Sequence, residues 1–280
     1  MYDVMIIGSG PAGVSAALTA KARNLDLIWF GSRNLSRKIT RAEKIVNSPG
    51  LTAVSGNEMK DAFLRQIEAS GITLTEARVD SVYPMGESFM ASAEGQIYEA
   101  RSVILAVGME TAKVIPGEEE FLGRGVSYCA TCDGNLYRGK RLAVVCTDPE
   151  LEDEIAFLAS LASHVTVYTT YKTFSLEAEN LSWKNGYPLE IGGTDRVESV
   201  TDRDGTEAAD GVFFLKASIS PGILLRGLET ENGHIVVKRD QSTSVAGCFA
   251  AGDCTGRPYQ YAKAVGEGNV ALHSVLNYLK

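Results

Sequence analysis

Cys129-Ala130-Thr131-Cys132-Asp133 carries the most chemistry of any stretch in this chain. Two cysteines with two residues between them form a closable dithiol. One sulfur can attack a disulfide while the other resolves the mixed disulfide. The Asp that follows adds a proton donor or acceptor beside the sulfurs. Alone, a C-x-x-C is ambiguous between half of a zinc site, a redox couple and two buried thiols. The other cysteines, Cys146, Cys248 and Cys254, make no second C-x-x-C, which argues against a four-cysteine zinc site. Cys146 and Cys248 lie in apolar runs and read as buried thiols. His164, His234 and His273 each stand alone and receive no role.

Two further constellations could hold a cofactor. Gly8-Ser9-Gly10-Pro11-Ala12-Gly13 is a G-x-G-x-x-G run. In such a run the first Gly allows a tight turn, the second lets the backbone approach a pyrophosphate, and the third lets helix and strand pack closely. An acid at the end of the next strand would hold a ribose, but here the chain reads Phe30-Gly31-Ser32. The fingerprint alone therefore does not choose between NAD and FAD. Ala251-Gly252-Asp253 ends a second apolar run. Its Asp could accept hydrogen bonds from ribitol hydroxyls or cap the following helix, and both readings stay open.

The elements that must position these residues follow from patterning. Residues 2–7 read as a buried strand, 14–22 as an Ala-rich helix and 25–30 as a second strand, which is the context the fingerprint requires. Asn47-Ser48-Pro49-Gly50 is a turn. Residues 57–70 form an amphipathic helix with Met59, Phe63, Leu64 and Ile67 on one face, and 73–97 an antiparallel meander. Residues 103–107 form an apolar strand, 111–115 a first linker, and Ser220-Pro221-Gly222 a second linker. Between the linkers, 141–146, 156–162 and 165–168 read as strand, helix end and strand, and 181–214 as short strands. The turn Cys146-Thr147-Asp148-Pro149-Glu150-Leu151 has no Gly and carries acids, so a phosphate would meet carboxylates where it needs N–H groups. Residues 247–250 form a strand and 259–279 a helix that returns to complete the first domain.

A length of 280 suits about two domains, and the formal charge of −8 argues against nucleic acid or an anionic membrane as partner. No apolar run approaches the ~20 residues of a membrane span, and no basic region precedes a hydrophobic leader, so a cytoplasmic location is expected. In that compartment a C-x-x-C is catalytic or metal-binding more often than structural. Arg33, Arg37, Lys38, Arg41 and Lys44 crowd one stretch of this acidic chain. That stretch reads either as a solvated loop or as a docking patch for an acidic partner.

With these pieces placed, the chain resembles the low-molecular-weight thioredoxin reductase family. The carrying residues are the run 8–13, the run 123–134 around the dithiol, and Cys248-Phe249-Ala250-Ala251-Gly252-Asp253. The resemblance implies an α/β fold of two Rossmann-like (three-layer ββα) domains, the second inserted into the first. Residues 1–111 and 217–280 would form a discontinuous FAD-binding domain, and 112–216 an inserted redox-dithiol domain with a degenerate NADPH-type Rossmann unit. It implies FAD as cofactor, with Gly8, Gly10, Pro11, Ala12, Gly13, Asn47, Gly252 and Asp253 binding it and Pro49 in the flavin-side turn. By the family pattern Cys132 exchanges electrons with the flavin, Cys129 attacks thioredoxin, and Asp133 is the proton-transfer acid. A homodimer is implied, with no metal.

The departures are informative. NADPH-using members carry a Gly-rich loop where this chain has Cys146 to Leu151, and a His-Arg-Arg run where it has Thr169-Thr170-Tyr171. The family's Arg-Gln pair before the last helix is replaced by Gln260-Tyr261. The pattern resembles the pyridine-nucleotide-independent branch, the ferredoxin-dependent flavin thioredoxin reductases. Ferredoxin is therefore the expected donor and thioredoxin the acceptor. The alternative is an NAD(P)H-dependent or other-donor reductase of the same family. A non-catalytic flavin- or thioredoxin-binding protein is a third reading, against which the retained Cys129, Cys132 and Asp133 argue.

Overall fold

The computed structural model describes residues 1–40, 42–109, 115–216 and 221–280, together with all their side chains except that of Arg37. The chain divides into two compact units, Met1–Glu110 with Ser220–Lys280, and Thr111–Ile219. The division falls at residues 110–114 and 217–220, outside the described residues, so the first linker is represented only by Ile115.

The first unit begins with β1 (Val4–Ile7), α1 (Pro11–Ala22) and β2 (Leu27–Phe30). Pro11 sits at the first helical position, where its missing N–H costs nothing. A short α2 (Arg37–Thr40) and the longer α3 (Gly56–Ser70) follow. Ser55 and Glu58 close a capping box at the start of α3, and Gly71 ends it in the left-handed conformation. Then come β3 (Val79–Met85), β4 (Ser88–Ala93) and β5 (Gln96–Ala100), an antiparallel meander, and β6 (Val103–Leu105).

The second unit holds β7 (Val126–Ser127), α4 (Ala130–Asp133), β8 (Arg141–Cys146), α5 (Glu152–Leu161), β9 (His164–Thr169) and β10 (Leu181–Asn185). It continues with β11 (Glu190–Gly193), β12 (Val197–Thr201), β13 (Thr206–Ala208) and β14 (Gly211–Leu215). Its parallel sheet runs β10-β9-β8-β14-β7, and β11-β12-β13 form an antiparallel sheet. Strands β8 and β14 are largely apolar, and β8, β9 and β14 are all buried on both faces apart from their first residues Arg141 and His164, as strands sandwiched between layers must be. Val144, Val167, Phe213 and Leu215 pack there with Ile155 and Leu158 of α5.

The chain then re-enters the first unit through α6 (Pro221–Leu224), β15 (Thr230–Glu231), β16 (His234–Ile235), β17 (Cys248–Ala250) and α7 (Tyr261–Tyr278). Strand β17 pairs parallel with β6, giving the order β17-β6-β1-β2. The returning segment thus completes the first sheet. Helix α7 lies close on α1, where a Cβ on Gly268 would stand 2.1 Å from the Ala12 carbonyl oxygen. One expectation is corrected. Pro221 is not part of an open linker but starts α6 and is buried with Ile223 and Leu224. A proline that reads as a breaker is equally suited to the first turn of a helix. Ser220 lies outside the described residues.

Candidate active site and cofactor cradle

Strand β7, paired with β14 through Val126 opposite Val212 and Ser127 opposite Phe213, delivers the dithiol to the edge of the second unit's sheet. Cys129 and Cys132 are joined in a disulfide. Cys129 is the N-cap residue of α4, and its Sγ accepts from the Cys132 N–H at 3.1 Å. Cys129 is buried, whereas Cys132 is exposed. On reduction that N–H bond would favour a thiolate at Cys129.

Two hydrogen-bonded groups brace this segment. Ser127 Oγ lies 2.7 Å from Asp133 Oδ2 and accepts the Cys129 N–H at 3.1 Å. Tyr128 stacks on Phe214 and donates to the Glu118 carboxylate, which also binds Lys216 Nζ at 2.5 Å and the Ile115 N–H at 3.0 Å. Glu118 and Lys216 are 1 % and 3 % exposed, so the ion pair is fully dry and its partners depend on each other. Burial, then the Glu118 charge, pushes the Tyr128 hydroxyl far above its ordinary pKa and keeps it a donor. Burial also pushes the free thiols Cys248 and Cys254 up to about 12 and raises Cys146, so these three remain protonated and inert.

The cradle in the first unit is built on β1 and α1. Gly8 has φ +113, and a Cβ there would stand 2.2 Å from the Ala106 carbonyl oxygen. A Cβ on Gly13 would meet the Gly8 oxygen at 1.8 Å. Gly10, by contrast, has nothing within 4 Å of its would-be Cβ. It is the N-cap of α1, no side chain caps the helix, and its first turn carries no acid. These open N–H groups beside empty space fit a pyrophosphate. The strand that lacks a ribose-binding acid ends differently: Ser9 Oγ takes the Ser32 N–H at 2.9 Å, and Gly31 packs directly on Ser9.

Gly252 stands beside Ala12 at the mouth of this cradle. Its N–H is held by Glu267 Oε2 at 2.8 Å, and Lys263 braces that carboxylate at 3.0 Å. Asp253 caps neither the short turn Asp253–Thr255 nor α7, whose N-cap is Gln260, so the capping reading is excluded. Asn47 Nδ2 donates to Gln260 Oε1 at 2.7 Å. Residues 8–13, Gly252 and Asp253 thus lie on one cradle, with Asn47 tied to the segment that follows it.

The basic stretch is also different from a free patch. Lys38 Nζ is 2.8 Å from Asp253 Oδ2 and lies over the Tyr259 ring, while Arg33 pairs with Glu76 at 2.9 Å. Lys44 is exposed. Arg41 and the Arg37 side chain lie outside the described residues.

The second unit's equivalent turn is not a cradle. Asp148 Oδ1 accepts the Glu150 N–H at 3.1 Å, and Glu152, Asp153 and Glu154 fill the first turn of α5. The N–H that a phosphate would need is taken by a carboxylate.

Residues 2–268 match the family described as pyridine nucleotide-disulphide oxidoreductase. The chain belongs to that family. Within it, the thioredoxin reductase of Bacillus subtilis is 31% identical over 303 residues, covering 100% of this chain and 95% of that protein. The thioredoxin reductase of Treponema pallidum is 33% identical, covering 99% and 97%. A ferredoxin-flavin thioredoxin reductase from Clostridium acetobutylicum superimposes with a TM-score of 0.91 at 44% identity, covering 99% of this chain and 97% of that one. A thioredoxin reductase from Gloeobacter violaceus gives 0.79 at 29% identity, covering 100% and 95%. This chain is thus a pyridine nucleotide-disulphide oxidoreductase of the thioredoxin reductase group, with that group's two-domain Rossmann-like fold. Its cofactor is FAD, and the open α1 N-terminus and bare Gly10 fit it. Among the described residues, no helix is long and apolar enough to cross a membrane.

Three contributors escaped sequence reasoning: Ser127, Lys38 as the partner of Asp253, and Glu267 as the holder of Gly252. None belongs to a spaced motif. Lys263 and Glu267 at i, i+4 were the one available signal.

Proposed function

We propose that this chain is an FAD-dependent thioredoxin reductase that takes its electrons from reduced ferredoxin and delivers them to thioredoxin through Cys129 and Cys132. The observation that carries this reading is the turn after β8, where Asp148 occupies the Glu150 N–H in a unit that keeps its disulfide. The likeness to the Clostridium acetobutylicum ferredoxin-flavin enzyme supports the same donor. Gly8, Gly10, Pro11, Ala12 and Gly13 would hold the FAD pyrophosphate, with Asn47, Gly252 and Asp253 toward its flavin and ribityl parts. When bound, the flavin supplies both one-electron and two-electron chemistry, which suits a one-electron donor and a disulfide acceptor.

The protein's own residues do the rest. The Cys129 thiolate, favoured by the Cys132 N–H, attacks the thioredoxin disulfide and releases one thioredoxin thiolate. Cys132 then attacks the mixed disulfide, re-forming the Cys129–Cys132 bond and releasing the second thioredoxin sulfur. Asp133 takes the Cys132 proton and returns it to the departing sulfur. The exposed sulfur in this structure is that of Cys132, so Cys129 must gain access before it attacks. A cytoplasmic homodimer completes the reading.

The deciding experiment is an anaerobic titration of the holoenzyme. Reduced ferredoxin should bleach the flavin band and yield thioredoxin dithiol, while NADPH and NADH leave the band unchanged. Rapid bleaching by either nucleotide would move the enzyme to the NAD(P)H-dependent alternative.

A further inference from the structure

Ser127 is 4 % exposed, and its Oγ stands among three polar atoms: Asp133 Oδ2 at 2.7 Å, the Cys129 nitrogen at 3.1 Å and the Cys129 oxygen at 3.3 Å. A hydroxyl has one hydrogen to donate and two lone pairs to accept with. The Cys129 N–H takes one lone pair permanently. The remaining hydrogen has two possible acceptors, and only one can have it at a time.

We propose that Ser127 is a positioning residue for Asp133, holding its carboxyl group in place in both protonation states. With Asp133 ionised, the Ser127 hydrogen points to Oδ2, a short charge-assisted bond. With Asp133 protonated, the carboxyl O–H donates to Ser127 Oγ. The Ser127 hydrogen then rotates to the Cys129 carbonyl. No heavy atom moves, and no buried polar group is left without a partner in either state. Asp133 can therefore take the Cys132 proton during resolution and give it back without leaving its position beside the dithiol.

The inference rests on the proton-transfer reading of Asp133. Within the second unit, Tyr137 on the following turn is a titratable neighbour of Asp133, and burial keeps its hydroxyl above its ordinary pKa. Phe157, Leu158 and Leu161 of α5 face the adjoining Gly134, while Glu152, Asp153 and Glu154 sit at the other end of that helix. The Glu118–Lys216 pair bears on Tyr128 rather than on Asp133.

The test is the pH profile of thioredoxin reduction by the holoenzyme carrying Ser127→Ala, Ser127→Thr or Asp133→Asn. Ser127→Ala removes the donor that favours the carboxylate. It should move the limb belonging to Asp133 upward by about one pH unit. Ser127→Thr keeps the hydroxyl and should restore the wild-type profile. Asp133→Asn should abolish that limb in either background. If it does so while Ser127→Ala leaves the limb unmoved, the proposal is overturned and the Asp133 reading stands. If Asp133→Asn keeps the limb, the Asp133 reading itself fails. Should Ser127→Ala not fold, infrared spectra of the wild-type protein decide instead. The carboxylic acid band lost in Asp133→Asn must be that of a hydrogen-bonded acid, and a free acid band refutes the proposal.

Discussion

At the scale of single residues, the glycines of the first βα turn have separable duties. Gly13 and Gly8 are compelled by close approach, with would-be Cβ contacts of 1.8 Å and 2.2 Å to backbone oxygens. Gly10 has ordinary backbone angles, φ −66 and ψ −178, and open space. Gly10→Ala should therefore fold normally yet lose flavin, with FAD affinity down about tenfold or more by absorbance-monitored dialysis. Gly13→Ala should fail earlier, as loss of soluble folded protein, because backbone atoms have nowhere to go. Equal flavin content in Gly10→Ala and wild type would remove the pyrophosphate from that spot. The sulfurs are separable too. Cys132→Ser should trap thioredoxin as a mixed disulfide on non-reducing gels, while Cys129→Ser traps none. Reversed trapping would assign the attack to Cys132, the sulfur this structure exposes.

At the scale of elements, strand β10 carries a cation into a cluster of acids. Lys184 Nζ lies 2.6 Å from Asp202 Oδ2 and 2.8 Å from Glu207 Oε1, and Tyr168 donates to Asp202 at 2.9 Å. Burial by itself would raise the Asp202 pKa. The Lys184 ammonium, the Asp204 N–H and the Tyr168 hydroxyl outweigh it and hold the carboxyl below its ordinary value. A depressed folded pKa contributes stability above the unfolded value of about 3.9, and that stability is lost as pH falls through the folded value. Lys184→Met should therefore lower Tm at pH 7. The gap to wild type should close as the pH is taken well below about 4. A gap that persists unchanged at pH 2 would mean that lost packing, not the ion pair, causes the difference. The same scale shows why the acidic turn after β8 matters. Asp148 satisfies the turn's backbone by itself, so this Rossmann element keeps its shape without a ligand.

At the scale of the whole molecule, each unit has its own parallel sheet and its own tryptophan. Trp29 is buried on β2 and donates to the Gly8 oxygen at 2.9 Å, beside the cradle. Trp183 lies on β10 of the second unit and is 43 % exposed. Ligand bound only to the folded cradle stabilises the unit that holds it. Stripping FAD should thus lower the melting transition seen by Trp29 in Trp183→Phe more than that seen by Trp183 in Trp29→Phe. Identical shifts in both single-tryptophan proteins would mean that the units melt as one.

Much of this molecule was legible before any fold was known. Strand 141–146, the meander after α3, the glycine turn and the dithiol announce themselves because a continuous apolar run, period-2 burial, tight glycine turns and reactive spacing are local demands. Pro221 misled because one residue type serves both as a breaker and as a helix start. What tertiary structure alone decided is partnership at a distance. Lys38 meets Asp253 across 215 residues, and Lys216 meets Glu118 across 98. Ser127 meets Asp133 because β7 and α4 fold back on each other at the dithiol. Periodicity encodes which face of an element is buried. Which polar group waits on the other side depends on strand order, and strand order is set by the packing of the whole sheet.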